Sequence, residues 1–108
     1  MKVKQAISEA GLMIPDNNVS AELLHIWLSR VEGEVFALIR DEEREVVFCE
    51  DDGERVLSVP DPFSVLYPLY LQTMIYLYLG EYDRYNYLNS LYESARSEYA
   101  KHYLRTKK

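Results

Sequence analysis

Apolar residues recur at steps of three and four along the second quarter of the chain, which is the spacing of one face of a helix. The stripe consists of Leu23, Leu24, Trp27, Leu28, Val31, Val35, Leu38 and Ile39. Ser20 stands before it, where a hydroxyl accepts a backbone N–H bond, and Glu22 suits the first turn. The pattern predicts a helix over 20–40. Gly33 weakens this helix by about 1 kcal/mol relative to alanine, which favours a compensating close crossing with another helix.

Capping residues predict a short helix near the start of the chain and a long one near its end. The short helix is predicted over 3–11, where Gly11 supplies a left-handed end. The long helix is predicted over 83–105, with Asp83 as its cap. Gly80 is the expected stop signal for the element that precedes it.

The stretch 62–79 is predicted to be helical but interrupted. Asp61 is a capping residue, and Pro62 suits the first helical position. Pro68 lacks an N–H and clashes with the preceding turn. It therefore predicts either a helix that is broken or kinked at this point, or a helix that begins near Tyr67.

Residues 45–59 have the composition of a two-stranded β-hairpin. β-Branched and aromatic residues are frequent in 45–49, and valine and leucine return in 55–59. Asp52-Gly53 between them is a strong turn signal. A single hairpin is marginal in water, so this one is expected to pack on the helices or on another chain.

These elements predict a single domain of the mainly α class over residues 1–108. It has three to four helices, of which the two long ones near the C-terminus run antiparallel, and one inserted β-hairpin at about 45–59. No internal repeat or low-complexity linker divides the chain.

Tyrosines at heptad spacing mark one face of the last predicted helix. Tyr85, Tyr92 and Tyr99 are seven residues apart, and Leu88 and Ala95 hold the complementary positions. With the stripe of the second helix they predict a core seam formed by Trp27, Leu28, Val31, Tyr85, Leu88, Tyr92, Ala95 and Tyr99. Tyrosine buries a large ring but needs a partner for its hydroxyl. The seam therefore either packs inside the chain or lies partly between subunits.

All ten tyrosines of the chain lie between Tyr67 and Tyr103. Several of them do not fit on the face that the heptad set defines, and exposed tyrosines suit interfaces with partners. The predicted partner or subunit contacts in this half are Tyr76, Tyr78, Tyr82 and Tyr87.

Negative charge is concentrated in the other half of the chain. Residues 1–60 hold 13 acidic and 6 basic side chains, whereas residues 61–108 hold 5 and 6. The acids predicted as a contact surface at the hairpin tip are Glu50, Asp51, Asp52 and Glu54. They form either a solvated surface or an acidic face toward a basic partner or a DNA channel. A net charge of −6 argues against non-specific nucleic-acid binding and against anionic membranes. No sequence-specific nucleic-acid partner is predicted either, since no basic recognition helix is present.

Residue types that carry chemistry are few and scattered. His25 and His102 lie on separate predicted helices, and the single Cys49 is predicted to be a small buried residue in a strand. Phosphate-binding, calcium-binding and nucleophile motifs are absent, and no pair of carboxylates stands out. One cysteine fits a reducing, intracellular setting. The sequence thus predicts no enzyme, catalytic residue, metal or cofactor, and its most apolar run, 65–79, is too short to span a bilayer.

The stretch from Val59 to Arg105 resembles a group of small tailed-phage and prophage proteins. Its pattern is a proline-aromatic entry at Pro62-Phe63, a tyrosine-rich helix, and then Gly-Glu-Tyr-x-x-Tyr-Asn over 80–86. A helix that ends in Tyr-x-Arg-Thr over 103–106 follows. The tryptophan-leucine and acidic-glycine helix of the group is matched by Leu24, Trp27, Leu28, Glu32 and Gly33.

These proteins look like helical head–tail connectors, or neck adaptors, which sit beneath the portal ring. The resemblance implies a homo-oligomeric ring in the virion neck that joins the portal protein to tail-side neck proteins, after synthesis in the bacterial cytoplasm. The free protein can be monomeric until portal is present. The chain departs from the pattern at Pro68, at Tyr87 and in its compact acidic hairpin. Two alternatives stay open: another interaction protein of the phage module, for tail completion or assembly, or a helical binding domain.

Overall fold

Four α-helices make up most of the computed structural model, which describes residues 1–15 and 17–106. They are α1 (Val3–Met13), α2 (Ala21–Glu34), α3 (Leu66–Leu79) and α4 (Tyr82–Thr106). α2 runs into a π-helical turn at Val35–Ile39, and 3₁₀ turns lie at Glu50–Asp52 and Phe63–Val65. The prediction of a mainly α fold is confirmed.

Two of the predicted helix signals act as the sequence indicates. The Ser20 hydroxyl accepts a hydrogen bond from the N–H of Leu23 at 3.1 Å, where α2 begins. Gly80 follows α3 with a left-handed φ of 76°, and its N–H donates to the carbonyl of Leu77. A residue with a Cβ is strained in that conformation, so glycine lets the chain reverse here. Only Glu81 then separates Gly80 from the start of α4.

Other predicted helix signals are wrong. α1 continues through Gly11 to Met13, so Gly11 does not end it. α2 gives way to a wider π-helical turn at Val35 before the predicted end of the helix. Asp83 lies inside the first turn of α4 and does not precede it. Nothing lies within 4 Å of the point that a Cβ on Gly33 would occupy, so no helix crosses closely there.

Pro68 does not break α3, because it is the third residue of the helix. The N–H groups of the first turn have no acceptor within a helix, so the missing N–H costs nothing there. The 3₁₀ turn Phe63–Val65 leads into α3, and Pro62 precedes that turn. Asp61 does not cap α3; its carboxylate accepts a hydrogen bond from the Ser64 hydroxyl.

The predicted β-hairpin at 45–59 is wrong, since the described residues contain no β-strand and only one isolated bridge, between Lys2 and Val56. The second half of the expected hairpin bonds to the start of the chain instead. The N–H of Val3 donates to the Arg55 carbonyl at 2.9 Å, and the N–H of Leu57 donates to the Met1 carbonyl at 2.9 Å.

The first half of the expected hairpin is held by side chains. Phe48 is buried, and its N–H donates to the Ser29 hydroxyl on α2 at 2.8 Å. The Asp52 carboxylate accepts from the N–H of Cys49 at 2.8 Å and closes a 3₁₀ turn where a two-residue β-turn was expected. The two halves of the expected hairpin therefore form hydrogen bonds with the start of the chain and with α2, and they do not pair with each other.

α3 is the central helix and contacts α1, α2 and α4. Its apolar side chains point in nearly all directions, as burial on several sides requires. Tyr70 of α3 meets Tyr92 of α4 with ring centroids 5.1 Å apart, and Phe63, just before α3, meets Tyr99 at 5.8 Å. The two long helices therefore run antiparallel, with Gly80 at the turn between them.

Alanine at two glycines should change stability in opposite directions. Gly33→Ala puts a methyl group into open space on α2 and should raise the free energy of unfolding by about 0.5–1 kcal/mol. Gly80→Ala forces a Cβ into left-handed backbone and should lower it by about 1 kcal/mol. Urea unfolding followed by circular dichroism measures both. A Gly80→Ala protein as stable as the wild type would contradict the left-handed turn.

Candidate functional site

A buried carboxylate organises the polar interior. Glu32 lies on α2 and is only 4% exposed. Its Oε1 accepts from the Tyr67 hydroxyl at 2.7 Å and from the Ser58 hydroxyl at 2.7 Å. Its Oε2 accepts from the Ser58 N–H, also at 2.7 Å. These three hydrogen bonds replace water that the carboxylate has lost, and they fix the chain at Ser58 between α2 and α3.

Arg40 and Tyr67 extend this arrangement. The Tyr67 hydroxyl accepts from the N–H of Val59 at 2.9 Å. The Arg40 guanidinium donates to the Ser58 carbonyl at 2.9 Å and to the Tyr99 hydroxyl of α4 at 2.7 Å. The polar core cluster consists of Glu32, Arg40, Ser58, Tyr67 and Tyr99. It joins three helices to the segment that leads into α3.

A cavity of about 330 Å³ lies beside the polar core cluster. Arginine and glutamate side chains both line it, and two of the arginines stack on phenylalanine rings. Arg44 lies 4.7 Å from the centroid of Phe36, and Arg55 lies 4.9 Å from that of Phe48. The opposite charges offset one another, so the cavity offers no net charge for an ionic ligand.

The acidic loop, residues 41–54, is held at both ends and displays its acids outward. Glu50, Asp51 and Glu54 are exposed, whereas Asp52 is half-buried. Hydrogen bonds and the charges of Lys2 and Lys4 lower the pKa of Glu54 to about 2. The N–H of Cys49 and the charge of Arg55 lower the pKa of Asp52. Two of the four predicted contact acids are thus engaged by the chain itself, whereas the side chains of Glu50 and Asp51 make no ion pair or hydrogen bond with the described residues.

Exposed aromatic and aliphatic side chains gather where α3 turns into α4. The turn patch consists of Leu77, Tyr78, Leu79, Tyr82 and Tyr87. Its three tyrosines are 60%, 64% and 66% exposed in chain order. Tyr76, also predicted as a contact, is half-buried and lies 5.5 Å beneath the guanidinium of Arg84. The acids flank the start of α1 and the turn patch lies beyond its end, so the structure does not bring the two predicted contact sets together.

The predicted core seam is internal at its most buried positions. Tyr92 and Tyr99 are 3% and 1% exposed, and both face the α3 side of α4. Tyr85, Leu88 and Ala95 are half-buried along the same face. The α2 members of the seam, Trp27, Leu28 and Val31, are buried as well. Trp27 meets Tyr78, with ring centroids 6.2 Å apart, so α2 packs on α3 and not on the tyrosine face of α4.

A solvent-open groove of about 390 Å³ lies at the end of the helix hairpin. Three helices contribute: the end of α1, the last turns of α3, and the first turns of α4. Its walls are mainly apolar. The lining residues are Met13, Ile14, Gln72, Tyr76, Asp83, Arg84, Tyr87 and Leu88. Of the turn patch, Tyr87 lines the groove.

The reactive residue types do not converge. Cys49 is exposed, so its predicted burial is wrong; the neighbouring Phe48 is the buried residue, and its larger apolar side chain packs in the core. His25 is buried and its Nδ1 donates to the Ala21 carbonyl at 2.6 Å, whereas His102 is exposed and stacks on Phe63. Within residues 1–15 and 17–106, no group of three His, Cys, Asp or Glu side chains is placed to hold a metal.

Sequence reasoning missed both the polar core cluster and the groove. One signal was available for the cluster: Glu32 stands four residues after Leu28 on the apolar stripe, where a charge must be buried with partners. Its partners come from distant segments, and no local pattern identifies them. The groove has no local signal, because three separate helices form it.

In the part of the chain that the structure describes, no helix combines the length and apolarity needed to cross a bilayer. Comparison with family models, with curated proteins and with solved structures gives no match for this chain.

Removing single hydroxyls should distinguish satisfied from unsatisfied tyrosines. Tyr67→Phe leaves Glu32 and the N–H of Val59 short of a partner and should lower the free energy of unfolding by about 1–3 kcal/mol. Tyr92→Phe removes a buried hydroxyl that has no partner among the described residues and should leave stability unchanged or raise it by about 1 kcal/mol. Urea unfolding midpoints compare them. An equal loss of unfolding free energy in the two variants would contradict a stabilising role for the hydrogen bonds of the Tyr67 hydroxyl.

Alkaline pH should weaken the fold through the buried tyrosines. Burial, with the charges of Glu32 and Glu34, raises the pKa values of Tyr67 and Tyr92 above the ordinary 10.0. What the two tyrosines contribute to the free energy of unfolding is therefore complete below about pH 10. It is lost as pH rises further, because the unfolded chain releases protons that the folded chain retains. Each ring adds a slope of up to about 1.4 kcal/mol per pH unit.

Thermal unfolding between about pH 9 and 11.5 measures this slope. Tyr92→Phe should reduce it, because one buried phenol is removed, while the exposed Tyr87→Phe serves as the matched control and should leave it unchanged. Identical slopes for the wild type and Tyr92→Phe would contradict a raised pKa at Tyr92.

Proposed function

We propose that this protein is a head–tail connector of a tailed phage or prophage, which forms a ring on the portal and links the capsid to the tail. The resemblance of 59–105 to that group supports the proposal. The role is mechanical: the ring extends the DNA channel and offers a docking surface, and no reaction is catalysed. Its place is then the virion neck.

The turn patch is the observation that carries the proposal. A single subunit leaves Leu77, Tyr78, Leu79, Tyr82 and Tyr87 between 39% and 66% exposed at one end of the molecule. Large exposed apolar and aromatic side chains gathered near one turn suit an interface, and tyrosine is enriched at such sites. A ring protein has such a surface because each copy covers part of its neighbour.

The acidic loop supplies a second, different face. A ring closes through heterologous contacts, in which one face of a subunit meets another face of the next. The loop and the turn patch lie beyond opposite ends of α1 and differ in chemistry, as that geometry requires. The exposed Glu50 and Asp51 also suit the wall of a channel, because negative charge repels DNA phosphate and lets DNA slide.

Mixing with isolated portal rings of the same phage tests the proposal. Negative-stain electron microscopy should show an added ring of density on portal in the presence of the wild-type protein. The double variant Tyr82→Ser, Tyr87→Ser should lose at least about tenfold in apparent affinity, because two large rings leave the interface. Leu104→Ser is the matched control: Leu104 is 67% exposed, but it lies at the far end of α4.

Circular dichroism should show that all variants keep the wild-type helix content. An undecorated portal at high protein concentration would overturn the connector function. Binding to a tail-side protein but not to portal would favour an assembly factor of the same phage module. Equal losses in the tyrosine variant and in Leu104→Ser would show that the turn patch is not the interface.

A further inference from the structure

The groove at the end of the helix hairpin contains a polar group that the protein itself does not satisfy. Gln72 lies on α3, lines the groove and is only 8% exposed. Within the described chain its carboxamide makes no hydrogen bond, although it is not sealed from solvent as the Tyr92 hydroxyl is. Because its polar atoms reach solvent in the groove, a group from outside can form hydrogen bonds to them that no described residue supplies.

A carboxamide has a specific preference in ligands. Its oxygen accepts and its nitrogen donates, side by side, which is the complement of one peptide group. The surrounding wall is apolar, with Ile14 buried, Leu88 half-buried and Met13 68% exposed. A lone donor–acceptor pair within apolar walls fits a segment of polypeptide that inserts an apolar side chain and presents its main chain to Gln72.

The rim of the groove adds a charge preference. Asp83 lines the rim, is exposed, and makes no ion pair or hydrogen bond within residues 1–15 and 17–106. Its neighbour Arg84 is already engaged: its guanidinium lies 3.8 Å from a Glu81 carboxylate oxygen and 5.5 Å from the ring centroid of Tyr76. The unbalanced charge at the rim is therefore negative, which selects a basic side chain on the ligand.

We propose that this groove binds a short peptide segment of a partner protein, with an apolar side chain next to a lysine or arginine. The apolar side chain lies between Met13 and Leu88, a main-chain peptide group pairs with the Gln72 carboxamide, and the basic side chain meets Asp83. The volume of about 390 Å³ is within the range of ligand clefts. The open side lets a longer chain pass through. The site stands on its own and does not depend on ring formation.

Nuclear magnetic resonance of the isolated protein, residues 1–108, tests the site. The probe is the capped tripeptide Leu-Lys-Leu, and the matched probe is Leu-Glu-Leu. The lysine probe should shift the side-chain amide of Gln72 and the backbone amides of Ile14 and Leu88 in a saturable manner. The glutamate probe should bind at least about fivefold more weakly, because its carboxylate meets Asp83.

Two variants separate the parts of the site. Gln72→Leu should weaken binding of the lysine probe about fivefold while the melting temperature holds or rises, because the amide makes no hydrogen bond to the described residues that the fold would lose. Asp83→Asn should equalise the affinities of the two probes. Ser94→Ala, an exposed change on α4 outside the groove, should alter neither probe.

Three outcomes overturn the peptide site. The first is the absence of saturable shifts at the highest soluble probe concentration, and the second is shifts centred on other residues. The third is a shift of the groove resonances when the protein alone is concentrated, which would assign the groove to a second copy of the chain. Portal is absent from this experiment, so its failure and a failure of the connector function are independent results.

Discussion

The fold depends on one buried carboxylate. Glu32 is placed inside the protein by the apolar face of α2, and a buried charge is tolerated only when its hydrogen bonds are complete. Ser58 and Tyr67 provide them, so the entry to α3 must lie against α2. Arg40 then ties the Ser58 carbonyl to Tyr99 of α4. The segment between Arg40 and Ser58 is consequently fixed at both ends by the hydrogen bond between these two residues. The acidic loop lies within this segment, at the surface.

The tyrosines divide according to what their hydroxyls meet. Tyr67 and Tyr99 are buried and have partners in the polar core cluster, whereas Tyr92 is buried without one among the described residues. Tyr78, Tyr82 and Tyr87 keep most of their surface in solvent. The buried tyrosines with partners help to fix how α4 packs on α3. The exposed tyrosines leave a large aromatic surface near the turn between these two helices. One residue type thus serves both the core and the surface that we propose for assembly.

Elements with a local signal were predictable. The stripe of α2, the Ser20 cap and the Gly80 stop are set by residues within a few positions of one another, and each is found in the structure. The β-hairpin failed because its signal was also local, while the decisive contacts were distant. The backbone groups of Met1 and Val3 form hydrogen bonds with residues 55–57, and the Ser29 hydroxyl accepts a hydrogen bond from the N–H of Phe48. Composition favoured a strand, but whether a strand forms depends on the tertiary context of its backbone groups.

The sequence by itself determined the helical class, the heptad face of α4 and the separation of acidic from tyrosine-rich surface, because these follow from spacing and composition. Only the tertiary structure decided that Gln72, which makes no hydrogen bond to the described residues, opens into a groove. It also decided that Glu54 and Asp52 are held by their own chain and that Cys49 is exposed. The physical reason is the same in each case. Burial and hydrogen-bond partners are properties of several segments at once, and no segment encodes its distant neighbours.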